Sequence, residues 1–252
     1  MMQGESYSGF AGVYDLLTGD VEYEKRCEYI EKLMKKHMDF SPDLVCDLGC
    51  GTGSVCSILS KKGYDMIGID SSDMMLDIAS KKNDDKKILY LCQGMCEFEL
   101  YGTVDVFLCM LDSLNYITSP EDVNEIFALV KNYLNPGGIF IFDVNTLYKY
   151  EEILSDNTFV SEENEIFYTW ENAFDGEYHD FRLNFFAKDE NGKYSRMTEE
   201  HSQRYHSADE LKEIIKENGL SLEAVYSELT EDEPKEDDQR VFFVVKSEYG
   251  PK

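Results

Sequence analysis

The chain is expected to fold as an α/β protein, a mostly parallel seven-stranded sheet with helices on both faces and an antiparallel β insertion. Three observations predict this. Short, nearly continuous apolar runs alternate with helical stretches between residues 43 and 145, the pattern of a parallel sheet covered on both sides. Residues 146–206 break that rhythm: aromatic residues crowd in, and Asp175-Gly176 and Asn191-Gly192 sit between alternating runs, a hairpin signal. One more helical stretch and two apolar runs follow residue 206.

In chain order, residues 5–38 read as two helices with a break near Thr18-Gly19-Asp20. In the second, Tyr29, Ile30, Leu33 and Met34 form an apolar stripe at helical spacing. Ser41-Pro42 ends this region. Strands are expected at 43–48, 64–69, 87–92, 104–110 and 138–143, with helices at 53–62, 73–82 and 120–134. The last helix places Val123, Ile126, Phe127, Val130 and Leu134 on one face, starts at Ser119-Pro120 and stops at Asn135-Pro136-Gly137-Gly138. The insertion, 146–206, reads as three or four antiparallel strands over the sheet's C-terminal edge. A helix at 207–218 then stops at Asn218-Gly219. Strands at 220–227 and 240–247 close the sheet as a hairpin, and the acidic stretch from Glu228 to Asp238 reads as a solvated loop.

Composition narrows the partners. Among 252 residues, 51 acidic against 24 basic side chains give a formal net charge of −27. Such a field repels nucleic acid and anionic membrane and mildly attracts cations, besides serving solubility. Neither nucleic acid nor membrane is an expected partner. The sequence shows no secretory leader and no apolar stretch long enough to span a bilayer, so a cytoplasmic protein is expected. Its seven cysteines are odd in number, end at Cys109 and fall largely in buried strands. They read as reduced thiols packed as small hydrophobes. No C-x-x-C pair or other ligand cluster calls for a metal.

The chemistry concentrates in Val45-Cys46-Asp47-Leu48-Gly49-Cys50-Gly51-Thr52-Gly53, then Met66-Ile67-Gly68-Ile69-Asp70, whose acid lies seventeen residues past the last glycine. Glycines let a backbone approach a ligand closely, and an acid ending the second strand can accept both ribose hydroxyls. Ser54 stands where a dinucleotide fingerprint places its third glycine, so no pyrophosphate cradle is implied. With D-L-G-C-G-T-G as its first signature, the chain resembles the class I S-adenosylmethionine-dependent methyltransferases, whose fold is Rossmann-like. The stretch Tyr7-Ser8-Gly9-Phe10-Ala11-Gly12-Val13-Tyr14-Asp15, then Tyr23, resembles the lid helix of small-molecule N-methyltransferases of the sugar-amine and glycine types. The resemblance covers residues 7 to about 145.

That resemblance implies S-adenosyl-L-methionine as cofactor and S-adenosyl-L-homocysteine as product. It divides the chain into N-terminal lid helices (1–42), a cofactor-binding core (43–145 and 207–252) and a cap on the substrate side (146–206). Cofactor contacts are expected from Tyr7 and Tyr14 of the lid, from Asp47, Gly49 and Gly51, and from Asp70. Ser71, with Met74 or Met75, would line the adenine edge. Met95 and Cys96 would approach the same edge, although Gly94 stands where the family often has an aspartate. At the end of the fourth strand, Leu111 faces the cofactor, while Asp112, Asn115 and Tyr116 are candidates to meet the transferable methyl. His206, beside Arg204 and Tyr205, is a further candidate where the cap returns.

The expected function is methyl transfer to nitrogen or oxygen of a small molecule by in-line displacement, in a monomer or homodimer. Two alternatives stay open: a macromolecular methyltransferase for RNA or protein, and a protein that binds the cofactor without transferring its methyl. The lack of a basic stripe weighs against RNA, and Gly94 gives the second alternative slight support.

Overall fold

The computed structural model describes residues 21–83, 87–163, 166–188 and 191–247. Helix α1 (Tyr23–His37) precedes an alternating series: β1 (Leu44–Leu48), α2 (Ser54–Lys61), β2 (Asp65–Asp70), α3 (Asp73–Lys82), β3 (Leu89–Cys92), β4 (Val104–Cys109), α4 (Pro120–Tyr133) and β5 (Leu134–Asn145). A 3-10 turn, Ser113–Tyr116, follows β4, and a π-helical turn, Lys149–Leu154, follows β5. Four strands come next: β6 (Thr158–Glu163), β7 (Ile166–Phe174), β8 (Tyr178–Lys188) and β9 (Tyr194–Arg204). Helix α5 (Ala208–Glu217), β10 (Ser221–Ser227) and β11 (Arg240–Lys246) complete the series.

The main sheet has the order β10-β11-β5-β4-β1-β2-β3. Strands β1 to β5 are parallel, while β11 runs antiparallel to both β5 and β10. Alternation along the strands sorts the core onto two faces. Phe107, Phe140, Phe142 and Phe243 pack beneath α4 and α5. Val45, Val106, Leu108 and Ile141 pack against α1 and α2. Helix starts follow their local chemistry. The hydroxyls of Ser72, Ser119 and Ser207 accept the backbone N–H groups of Met75, Asp122 and Glu210, satisfying amides that the first turn leaves open. All seven cysteines are free and five are buried. No helix among the described residues is long and apolar enough to cross a membrane.

Strands β6 to β9 form a separate antiparallel sheet in sequential order. Gly176, at φ +104, and Gly192, at φ +77, make its tight turns, and Asp175 Oδ1 accepts the N–H groups of Glu177 and Tyr178. This sheet spans the C-terminal ends of the parallel strands. At one side Ile166 and Phe185 pack with Met74, Met75 and Ile78 of α3. At the other, Asn115 of the 3-10 turn donates to the carbonyl of Arg204 at 2.9 Å.

Two expectations need correction. Strand β5 begins at Leu134, not Gly138, because Leu134 already pairs with Val104 before the register shifts. Pro136-Gly137-Gly138 is therefore an irregularity within the strand: a Cβ on Gly138 would lie 2.6 Å from the Asp105 carbonyl oxygen. The acidic loop is also docked as well as solvated. Glu228 pairs with Arg26, and Glu231 with Lys32 and Lys36, all on α1.

Candidate cofactor cleft and acceptor site

Strand β1 ends in a run of left-handed glycines, with φ +69 at Gly49, +53 at Gly51 and +73 at Gly53. Other residues adopt that conformation at a cost. The three positions differ in their surroundings. A Cβ on Gly49 would meet the Ser113 side chain at 2.9 Å, and one on Gly53 the Tyr90 hydroxyl, whereas one on Gly51 would meet nothing within 4 Å. Gly51 therefore borders open space against which a ligand can lie. The cleft there is lined by Tyr23, Asp47, Gly49, Cys50, Gly51, Thr52, Ser54, Val55, Met110, Leu111 and Ser113.

Two carboxylates serve this loop. Asp70 ends β2 and accepts the N–H of Gly51 at 2.8 Å on one oxygen and that of Ser72 at 2.9 Å on the other. Each oxygen keeps a lone pair for an incoming hydroxyl. Burial raises its pKa, against the opposing pull of those N–H groups. Asp47 is buried deeper, 2% exposed, and its Oδ2 lies 3.5 Å from the Cys56 thiol that donates to it. Burial pushes its pKa up to about 7. A cation arriving in the cleft would restore its ionised form.

The other expected residues separate into those at the cleft and those drawn elsewhere. Leu111 is in its wall. Met95 lies under the loop, its sulfur 3.9 Å from Cys109 Sγ and 3.5 Å from where a Gly49 Cβ would sit. Cys96 is half-buried, and burial raises its thiol to about 11. Ser71 is exposed just past Asp70, its carbonyl accepting from Cys92 Sγ. Tyr116 is 39% exposed and packs in T-shaped contact with Phe181 and His201 of the second sheet. Tyr7 and Tyr14 lie outside the described residues.

Three candidates are spoken for by packing. Met75 is buried against Ile166 and Phe185 of the second sheet. Asn115 is fully buried, its Oδ1 accepting the Asn145 N–H and its Nδ2 donating to the Arg204 carbonyl, so it joins β5 to β9. His206 is 1% exposed beside Arg204, whose guanidinium also binds Glu210. Burial, then that guanidinium, lowers the imidazole's pKa to about 4. Such a group is a poor base near neutrality.

Asp112 meets the partner its burial requires. Arg240 Nη2 donates to its Oδ1 at 2.5 Å and Gln203 Nε2 to its Oδ2 at 2.7 Å. Burial works to raise its pKa, but Arg240 and then Lys149 hold it below the usual carboxylate range. Arg240, Gln203, Lys149 and the buried Asp143 were not among the expected site residues. Asp143 had a signal, an acid inside Ile139-Phe140-Ile141-Phe142-Asp143-Val144, as did Arg240 at the head of an apolar strand. Neither signal says which partner it meets.

Residues 45–138 match the family described as "Methyltransferase domain". The chain is 36% identical over 245 residues to "Putative methyltransferase YqeM" of Bacillus subtilis (strain 168), covering 94% of this chain and 95% of that one. A solved S-adenosylmethionine-dependent methyltransferase from Clostridium acetobutylicum ATCC 824 superposes with a TM-score of 0.88 at 30% identity, covering 96% of this chain and 99% of that one. The sugar N-methyltransferase KedS8 from Streptoalloteichus sp ATCC 53650 shares the fold, with a TM-score of 0.78 at 17% identity over 94% of this chain and 93% of that one.

Proposed function

This chain belongs to the S-adenosylmethionine-dependent methyltransferases, and on that premise we propose that it methylates nitrogen or oxygen of a small molecule. The observation that carries the small-molecule reading is the second sheet, which reaches from α3 to the 3-10 turn and closes over the strand ends. Its rings include Phe181 and His201, stacked at 4.9 Å, with Tyr116 of the 3-10 turn against both. A sheet laid over the strand ends with an aromatic cluster at its edge suits a compact acceptor better than a polymer. The fold shared with a sugar N-methyltransferase supports the same reading.

The cofactor supplies a methyl on a sulfonium, an already activated leaving group. What the protein adds is position and exclusion of water. In this reading Asp70 holds the ribose hydroxyls, Asp47 faces the ammonium group, and Gly51 leaves the space the cofactor needs. Leu111, Met95, Cys96 and Ser71 border it. Asp112, kept ionised by Arg240, orients an amine acceptor by charge; its depressed pKa suits it poorly to taking a proton. The charge of the whole chain favours the same class of acceptor. A cytoplasmic monomer or homodimer that binds no nucleic acid completes the reading. Its test is a thermal-shift screen of amines and alcohols in the presence of S-adenosylhomocysteine, followed by transfer of a labelled methyl. An amine or neutral hydroxyl compound should emerge. A protein or RNA as the best acceptor overturns the reading.

A further inference from the structure

Leu111 and Asp112 are consecutive non-glycine residues in the left-handed region, at φ +57 and +55. Such a pair persists only where its surroundings hold it. What holds it is the Asp143 carboxylate, fully buried in β5, which accepts the Leu111 N–H on Oδ2 and the Asp112 N–H on Oδ1, each at 2.8 Å. Asp143 is in turn bound by Arg240, the first residue of β11, which donates from Nη1 to Asp143 and from Nη2 to Asp112. One guanidinium thus bridges the carboxylate that fixes the backbone and the carboxylate which that backbone carries. A bidentate fork suits this task and an ammonium does not. Gln203, at the end of β9, joins the second sheet to the free side of Asp112, and its Oε1 accepts from the Tyr150 hydroxyl at 3.0 Å.

We propose that Arg240 is a positioning residue of the transfer reaction: through Asp143 and Asp112 it locks the Leu111–Asp112 backbone, whose Leu111 walls the cofactor cleft, and Gln203 ties that turn to the second sheet. The proposal rests on reading the cleft as the cofactor site. Without the bridge, two charges on Asp112 and Asp143 face each other across the turn. Leu111 then relaxes out of the left-handed region and away from the wall it forms.

The test uses the full chain with S-adenosylhomocysteine as probe. Calorimetry gives affinity, and amide hydrogen exchange by NMR gives local protection, for the wild type, Arg240→Met, Arg240→Lys and Asp70→Ala. Arg240→Met should bind roughly tenfold more weakly, a single lost positioning contact. Its Leu111 and Asp112 amides should exchange faster while those of β1 and β4 keep their protection. Arg240→Lys, which retains the charge but not the fork, should recover part of both. Unchanged affinity and unchanged exchange in Arg240→Met overturn the proposal, and so does faster exchange throughout the sheet, which marks a purely structural role. If Arg240→Met does not fold, Arg240→Lys decides alone: wild-type affinity and protection in it overturn the proposal. A wild type that fails to bind the probe defeats the cleft reading instead, and the exchange arm still decides the lock. Binding that is lost in Asp70→Ala and kept in both Arg240 variants defeats the lock alone.

Discussion

The two halves of the cleft are built in opposite ways. The half around Gly49, Gly51 and Gly53 is mostly backbone, and its acid, Asp70, follows within twenty residues to accept the Gly51 N–H. The half around Leu111 and Asp112 is mostly side chain. Its parts come from β4, β5, β9 and β11, with Gln203 91 and Arg240 128 positions from Asp112. The first half offers shape and N–H groups to a ligand that every member of the family shares. On the reading proposed above, the second offers the acceptor a charge that Arg240 holds in place. Substitutions should separate the halves accordingly.

The largest effect is expected on the backbone side. Gly51→Val places a branched side chain in the open space at φ +53 and should reduce S-adenosylhomocysteine affinity by more than about a hundredfold, together with some stability. Calorimetry paired with a melting curve checks it, and normal binding would remove the loop from the site. Asp70→Ala comes next, losing about 2–3 kcal/mol of binding as a charge-assisted double acceptor disappears. An unchanged affinity would mean that the acid serves Gly51 and Ser72 alone.

On the side-chain half, Asp112→Asn keeps the shape and removes the charge. Turnover of the best acceptor should fall about tenfold, with cofactor affinity changing far less. Equal losses in kcat/KM and in cofactor affinity would assign Asp112 to the cofactor and blur the contrast between the halves. The smallest effect concerns stability. The folded value for Asp47, about 7, stands above its ordinary 3.8, so folding favours the protonated form. That contribution is full below about pH 3.8 and is lost as pH rises through 7. Asp47→Asn should therefore melt higher than the wild type without cofactor at pH 8, on the order of 5 °C, and the gap should close at pH 4. A gap that is the same at both pH values would show that the carboxyl bears no ionisation cost.

The same contrast explains what the sequence disclosed. The glycine loop, the start at Ser119-Pro120 and the turns at Asp175-Gly176 and Asn191-Gly192 were legible because each is fixed by neighbours within a few positions, and Asp70 because its partner Gly51 lies one strand and helix away. Met75 was not: a helical methionine next to Met74 can face the ligand or the second sheet, and only the docking of Phe185 decides. Asn115 was a candidate to meet the methyl, and its amide is instead bonded to β5 and β9, which only the fold brings onto it. His206 was a candidate where the cap returns, but its burial beside Arg204 depends on how β9 meets α5. Asp143 and Arg240 announced themselves as charges in apolar strands, but their partnership depends on β11 lying beside β5, a pairing that no local pattern encodes.

The position of β11, between β10 and β5, also sets an order of events during synthesis. Domains consolidate as chain becomes available, and β11 is made after every other described strand. A growing chain can shape its glycine loop long before Arg240 exists. Until then, Asp112 and Asp143 lack the guanidinium that bridges them. Completing the sheet between β10 and β5 and bridging Asp112 to Asp143 thus wait on the same strand, so the two cannot be acquired separately.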